Sequence, residues 1–308
     1  MRFMNDNELE YATQKTKGAI TIKEQIETLK NRGLIIKDEQ EAKRFLERVN
    51  YYRLSGYFRQ FYKAYEYEKF RDNLEFSLVT NLYSFDKKLR ALLFELIAEI
   101  EISFKARLSD KLGCDYGDFS WSDENFYDSR TFIDRKSGAV MTYFDALQRI
   151  IKRKINRARK EPFVQHHIEQ YNYNFPVWVL MEIIDFSDVS KIYKNLMTPI
   201  QKDITQGFYK NVSYFQVESW LEQIVKCRNI CAHHGRIIAK ENFKVKQHKK
   251  IKQHNAEGLL ALLIAIKLLI NEPNIWKRFL IELELLIKTY EIDLKMINFN
   301  DDWQSILK

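Results

Sequence analysis

The chain has 308 residues, of which 45% are apolar and 30% are charged, and this ordinary globular composition argues against a disordered protein. Only 9 glycines and 4 prolines are present, which disfavours collagen-like, proline-rich and many-turned β architectures. The net charge of +8 favours an anionic partner, although such an excess also serves solubility.

The cysteine content and the apolar runs indicate the compartment. Three cysteines and the lack of a secretory leader argue against a disulfide scaffold and favour a reducing environment. The longest apolar run, residues 258–270, is interrupted by Lys267 and is shorter than the ~20 residues that span a bilayer. We therefore expect a cytoplasmic protein with no membrane contact.

Helical periodicity dominates the chain. Thr21 with Glu24, and Asp38 with Glu41, have the spacing of capping boxes, and Gly33 lies between them where a helix would end in the left-handed conformation. These signals predict a helix–turn–helix unit over residues 21–50. An aromatic cluster, residues 50–58, follows it.

The strongest predicted helix covers residues 74–112, because apolar residues recur there every three or four positions without glycine or proline. Residues 113–138 are rich in Asp, Ser and Gly, which predicts a long irregular connection. No stretch alternates between apolar and polar residues, so the predicted fold class is all-α. The remaining predicted helices cover residues 140–160, 163–172, 177–184, 187–197, 213–233, 256–270 and 274–291.

The most informative segment is Cys227-Arg-Asn-Ile-Cys-Ala-His-His-Gly-Arg236. Arg228 and His233 are separated by about 500° on an ideal helix and do not share a face, whereas Asn229 and His233 are i,i+4 neighbours and do. The motif therefore fits best near a helix end, with Gly235 as the stop, where local unwinding would bring Arg228 beside His233.

This set of side chains is suited to cleaving a phosphodiester without a metal. A histidine can accept the proton of an RNA 2′-hydroxyl or donate one to the leaving 5′-oxygen, since its pKa lies near working pH. An arginine can hold the phosphate through two parallel hydrogen bonds. Because one histidine does not readily act as base and acid in one step, two copies facing each other across a dimer would help.

Two other interpretations of the segment stay open. The histidines can be partly buried residues of a helix end, with Arg228 paired to an acidic neighbour, and the pattern alone does not decide against this. Cys227, Cys231, His233 and His234 are also potential zinc ligands. However, structural zinc prefers two separated ligand pairs, and these four are crowded together, so no metal is expected.

Four segments, in order, resemble the AbiD/AbiF abortive-infection family of bacterial phage-defence proteins. The first is Asn50-Tyr-Tyr-Arg-Leu-Ser-Gly-Tyr57, and the second runs from Asp86-Lys-Lys-Leu-Arg90 to Ile100-Glu-Ile102. The third contains Pro176-Val-Trp178, Glu182 and Phe186-Ser187, and the fourth is Arg228-Asn-Ile-Cys-Ala-His-His-Gly-Arg236. The resemblance covers about residues 20–240.

The resemblance implies a helical bundle of the HEPN superfamily, with residues 1–70 as an N-terminal helical extension and residues 71–308 as the bundle. It also implies a metal-independent endoribonuclease whose catalytic candidates are Arg228, Asn229 and His233, with His234 as a weaker one. HEPN nucleases commonly assemble the site from two bundles, which implies a homodimer. Family members are further thought to work with a small structured RNA that restrains them.

Basic residues supply the candidates for RNA contact. Six lie within residues 152–160 without an acid, and a second run follows the histidine motif; a solvated surface is the plainer interpretation of either run. Glu101, on the long helix, is a candidate for positioning Arg228. The predicted RNA-binding residues are Arg53, Lys152, Arg153, Lys154, Arg157, Arg159, Lys160, Arg236, Lys244, Lys246, Lys249 and Lys250.

Three functions therefore compete. The first is an endoribonuclease toxin of an anti-phage system, needing no cofactor and binding RNA rather than DNA. The second is a non-catalytic RNA-binding or sensor module in which the same residues only hold phosphate. The third is a helical protein–protein adaptor in which the positive charge is incidental. Metal-free cleavage that depends on His233 separates the first from the second, and salt-sensitive RNA binding separates the second from the third.

Overall fold

The computed structural model describes residues 18–66, 68–135, 137–238 and 243–308. The described chain forms two compact units, which divide at Ser84/Phe85. This division falls inside a helix and not at residue 70, and the predicted two-domain organisation stays a prediction. The all-α prediction is confirmed: the described residues are mainly helical, and their one sheet is a two-stranded hairpin.

The first unit begins with the predicted helix–turn–helix. Thr21 and Glu24 form the reciprocal capping box, and Gly33 adopts φ 93°, as the sequence predicts. The helices of this unit are α1 (Ile22–Asn31), α2 (Glu39–Arg48) and α3 (Tyr51–Phe58).

The aromatic cluster of residues 50–58 forms helix α3 itself, despite Gly56. Asn50 caps α3 by accepting the N–H of Tyr52 at 2.8 Å. Tyr57 and Phe58 are buried, and the ring of Phe58 meets that of Phe70 edge to face. Tyr52 is 87% exposed, so the cluster is packed on one side only. The buried rings of the cluster are therefore packing residues of the first unit.

The second unit contains most of the long predicted helix, which begins in the first unit, and most of the core. The predicted helix over 74–112 is confirmed as α4 (Phe76–Tyr116). Its other helices are α5 (Tyr143–Ala158), α6 (Pro162–Gln170), α7 (Val177–Ile183), α8 (Phe186–Asn195), α9 (Thr198–Phe208), α10 (Tyr214–Ala232), α11 (Lys249–Gln253), α12 (Gly258–Leu269), α13 (Pro273–Thr289) and α14 (Trp303–Leu307).

The sequence predicted neither helix α9 nor the two short strands of the second unit, and it also missed the short helices α11 and α14. Helix α9 starts with Pro199 in its first turn and contains Gly207, which weakens its sequence signal although proline is well tolerated there. Strands β1 (Thr131–Ile133) and β2 (Val140–Thr142) pair antiparallel, with Phe132 opposite Met141. Strands of three residues are too short to produce a recognisable alternation.

Helix α10 lies at the centre of this unit. It packs against α8, α9 and α12, and its Trp220 is fully buried. Helix α12 is apolar all round, and nearly all its side chains are buried, which makes it a core element. Among the described helices none combines the length and the apolar character that crossing a membrane requires.

Candidate functional site

The predicted catalytic motif forms the C-terminal end of α10. Cys227 and Cys231 face the core, whereas Asn229 and His233 are exposed and Arg228 is half-buried. The helix ends at Ala232, which confirms the prediction of a helix end at this motif. The alternation of buried thiols and outward polar groups places the chemistry-bearing side chains at the surface of a fixed helix.

The helix end is a Schellman turn built on a histidine. The N–H of His234 donates to the carbonyl of Cys231 at 3.1 Å, and that of Gly235 donates to the carbonyl of Ile230 at 2.7 Å. His234 adopts φ 55°, the left-handed conformation that glycine usually supplies at this position. The left-handed residue that ends the helix is therefore His234, one position before the predicted Gly235.

Gly235 has a different structural requirement. A Cβ at this position would lie 3.0 Å from Cγ2 of Ile230 and 3.3 Å from its carbonyl oxygen. The close approach of the turn to the helix, and not a positive φ, therefore favours glycine here, because a larger residue would require Ile230 to shift.

A buried ion pair on α4 fixes the chain that leaves this turn. Asp86 is completely buried and pairs with Arg90, which is 4% exposed. One carboxylate oxygen of Asp86 accepts the N–H groups of Ile237 and Ile238 at 3.0 and 3.1 Å. Arg90 also donates to the carbonyl of Gly235 at 3.1 Å. The pair thus satisfies backbone groups on both sides of Arg236.

Sequence reasoning assigned no role to Asp86 and Arg90, although both lie in a segment that carries the family resemblance. A signal existed: the two residues are i,i+4 neighbours within the apolar stripe that includes Leu82, Leu89 and Leu93. An acid and an arginine on a buried stripe are costly unless they are paired. Their presence there indicates a polar role inside the fold.

Arg228 rests on α4 rather than beside His233. Its guanidinium lies 5.7 Å from the ring centre of Phe94, a side chain that is 40% exposed. The predicted unwinding between Arg228 and His233 does not occur, because the N–H of His233 still donates to the carbonyl of Asn229 at 3.0 Å. Asn229 and His233 keep the i,i+4 relation that places them on one face. Exposed His234 begins the turn.

Glu101 does not have the predicted partner. It pairs with Lys105 at 3.2 Å, and Lys105 also donates to the carbonyl of Ile184 at 2.8 Å. Glu101 instead lines a groove of about 910 Å³ together with Trp178 and Glu182. Two segments that carry the family resemblance therefore meet at this groove.

The first basic run lies on α5. Lys152, Arg153, Arg157, Arg159 and Lys160 are exposed, as RNA contact would require. Lys154 is different because it forms ion pairs with Asp185 and, at 3.6 Å, with Asp188. It belongs to a local charge cluster and is left out of the proposed RNA surface.

The second basic run extends away from the motif along α10. The N–H of Lys244 donates to Gln223 at 3.1 Å, and the carbonyl of Lys246 accepts from Trp220 at 2.9 Å. Lys249 and Lys250 start α11, farther along that path. Lys244 is thus the member nearest the motif in space. Arg53, in the first unit, is exposed and lies 6.0 Å from the ring centre of Tyr83.

The side chains of Cys227, Cys231, His233 and His234 do not point toward a common position. Hydrogen bonding to Cys231, and then burial, raise the pKa of the Cys227 thiol, so this sulfur is held as a neutral core group. The two histidines are exposed instead. Within the described ranges, no group of three or more His, Cys, Asp or Glu side chains is arranged to hold a metal ion.

Comparison with known proteins identifies the family. No curated protein and no solved structure matches the chain. The family described as Abi-like protein matches residues 44–239, more than half of the chain. The matched range includes the Asn50–Tyr57 motif, the Asp86–Arg90 pair and the end of α10. The chain therefore belongs to the Abi-like family of abortive-infection proteins.

Proposed function

We propose that this protein is a metal-independent endoribonuclease that acts as the toxin of an abortive-infection system against phage. The observation that carries the proposal is that the end of α10 is held in place on its buried side and exposes polar side chains on its other side. Cys227 and Cys231 are buried in the core, and the Asp86–Arg90 pair holds the chain that leaves the helix end through Gly235, Ile237 and Ile238. Asn229 and His233 face solvent. A fixed backbone that presents an exposed imidazole meets the positioning requirement of acid–base catalysis.

In the proposed reaction the 2′-oxygen of a ribose attacks the adjacent phosphorus. His233 takes the 2′-hydroxyl proton or protonates the departing 5′-oxygen, and Asn229 on the same face orients the imidazole or the phosphate. Arg228 stabilises the charge on the non-bridging oxygens as the 5′-oxygen leaves. The products are a 2′,3′-cyclic phosphate and a free 5′-hydroxyl.

The proposed active form is a homodimer. Each chain contributes one His233, whereas the reaction needs one proton acceptor and one proton donor in the same step. A second copy facing the first would supply the other imidazole. His234, the weaker catalytic candidate by the family resemblance, is also exposed at this helix end.

RNA is proposed as both substrate and regulator. The exposed cations of α5 and the run from Lys244 to Lys250 are proposed to bind the phosphates of this RNA. The family resemblance adds a small structured RNA that restrains the toxin. HEPN membership and a cytoplasmic location belong to the same proposal.

The second candidate function is a non-catalytic RNA sensor. It is favoured by the position of Arg228 on Phe94, with no unwinding that would bring it to His233. An arginine held in this way, together with surface lysines, binds phosphate without any proton transfer.

The two functions differ in one experiment. Purified protein, stripped of co-purifying nucleic acid, is incubated with mixed cellular RNA in EDTA, beside His233→Ala. The nuclease proposal expects fragments with cyclic-phosphate ends from the wild type and none from His233→Ala. Intact RNA bound equally by both proteins would favour the sensor.

Matched variants separate chemistry from folding. His166→Ala removes an exposed histidine on α6 outside the motif and is expected to cleave like the wild type. Arg228→Lys keeps the charge but loses the planar fork, so partial cleavage is expected, whereas Arg228→Ala is expected to be inactive. Loss of activity in His166→Ala as well would refute the assignment of His233.

A further inference from the structure

A cavity outside the motif lies beside α5 and the turn that follows α6. Its volume is about 370 Å³, within the range of small-molecule sites, and its floor is apolar. Ile155 and Phe175 contribute to this floor together with Trp121, which is 9% exposed. The indole N–H of Trp121 already donates to the carbonyl of Phe175 at 2.8 Å, so the floor offers a ring surface without an unsatisfied donor.

The mouth of this cavity is basic and polar. Lys152 on α5 and Arg159, which directly follows the last residue of α5, line it from positions seven residues apart. Because Arg159 keeps a helical backbone, the two lie on one face, about 10 Å apart along the helix axis. Asn156 lies between them and also lines the cavity. Neither cation has an ion-pair partner in the part of the chain that the structure describes, in contrast to Lys154 on the same helix.

An exposed aromatic side chain lies at the edge of the cavity, and its backbone is held by α6. Tyr173 lines it and is 65% exposed. Asn172 and Tyr173 both adopt the left-handed conformation, with φ 49° and 62°, which is rare for consecutive non-glycine residues. The N–H of Tyr173 donates to the carbonyl of His167 at 3.2 Å, and the turn is thereby tied to α6.

We propose that this cavity binds one unpaired nucleotide. The base would lie on the apolar floor against Tyr173, Asn156 would hydrogen-bond its edge, and Lys152 and Arg159 would contact the adjoining phosphates. A base within a duplex is covered by its stacked neighbours and cannot lie against Tyr173, so the site selects single-stranded RNA. The inference rests on the RNA-binding part of the proposed function and is independent of cleavage.

The test uses the full chain carrying His233→Ala, which keeps the RNA intact. Fluorescence anisotropy measures affinity for a labelled, unstructured 12-nucleotide RNA and for the same strand in a duplex. The pocket pair, Lys152→Ala with Arg159→Ala, is compared with the matched pair, Arg153→Ala with Arg157→Ala, which removes the same charge from the same helix. We expect the pocket pair to weaken single-strand binding about tenfold more than the matched pair, with no such difference for the duplex.

The aromatic contact has its own test. Tyr173→Ala is expected to weaken single-strand binding about tenfold, whereas Tyr173→Phe keeps the ring and binds like the parent. Photocrosslinking of a 4-thiouridine strand is expected to label the peptide that contains Tyr173. Equal effects of the two charge pairs, with no effect of Tyr173→Ala, would overturn the inference and indicate an open phosphate surface.

A mononucleotide titration distinguishes the source of the ligand. Competition only by longer strands assigns the pocket to an RNA chain, whereas direct binding of a mononucleotide that is lost in Tyr173→Ala assigns it to a free nucleotide. If neither ligand binds, the pocket inference is wrong. Normal pocket binding in a wild-type protein that cleaves nothing would refute the nuclease proposal and leave the pocket inference standing.

Discussion

Replacing Asp86 tests whether the buried ion pair fixes the end of the motif. Asp86→Ala leaves the Arg90 guanidinium buried without its carboxylate, and it removes the acceptor of two backbone N–H groups, those of Ile237 and Ile238. Breaking a buried pair from one side costs about 3–5 kcal/mol. This cost already includes the lost hydrogen bonds of the Ile237 and Ile238 N–H groups, because the Asp86 carboxylate accepts from both of them and from Arg90.

The expected change is local first. A loss of about 3 kcal/mol from the turn corresponds to about a 150-fold faster exchange of the Ile237 and Ile238 amides, at 1.4 kcal/mol for each factor of ten. Hydrogen exchange followed by mass spectrometry reads these amides directly, and urea unfolding reports the global loss. Since whole domains are stable by only about 5–15 kcal/mol, the urea midpoint is expected to fall as well.

The chain offers a matched control on the same helix. Glu95 of α4 pairs with Arg278 at 2.8 Å, but both side chains are about 60% exposed. Glu95→Ala is expected to change stability by less than about 1 kcal/mol, because surface ion pairs contribute little. Unchanged protection of Ile237 and Ile238 in Asp86→Ala, with stability equal to that of Glu95→Ala, would refute the structural role assigned to the pair.

Three further predictions concern the motif and the thiols. The His234→Gly protein is expected to be about 1 kcal/mol more stable to urea unfolding than the His234→Ala protein. Both variants lose the imidazole, but only alanine is strained by the left-handed backbone at this position. Equal stability of the two variants would contradict this. Phe94→Ala is expected to lower RNA cleavage about two- to fivefold by releasing Arg228, with Phe94→Tyr close to wild type. A thiol reagent is expected to modify only Cys114 in the native protein and all three cysteines in denaturant. Since the Asp110 carboxylate raises the pKa of Cys114, its reaction is expected to be slow near neutral pH and to accelerate as pH rises; a fast reaction at pH 7 would refute the assignment.

The sequence predicted the helices well because their signals are local. Periodicity located α4, and the Thr21 capping box and Gly33 located the first helix and its end. The α9 helix was missed because proline and glycine usually mark breaks, although its Pro199 lies in the first turn, where no N–H is required. A proline or glycine therefore misleads the prediction when its effect depends on its position within the helix.

The candidate site was predictable in its members but not in all its contacts. The helix end and the shared face of Asn229 and His233 follow from spacing alone. The partner of Arg228 depends on tertiary packing, because Phe94 is more than a hundred positions away in the chain and no local rule connects the two. Lys105, in contrast, is an i,i+4 neighbour of Glu101, so spacing alone could have indicated this ion pair.

The order His-His-Gly at the end of α10 separates structural demands from chemical ones. Position 234 must accept a left-handed backbone, and position 235 leaves little room for a Cβ because Cγ2 of Ile230 lies 3.0 Å from where that atom would be. Exchanging His234 and Gly235 would relieve the first position and crowd the second. The backbone at position 233 makes no such demand, since its φ of −93° suits any residue. An exposed imidazole at the one position of the three that the turn leaves free is better explained by its chemistry than by the fold, which is why His233 is the residue on which the nuclease proposal depends.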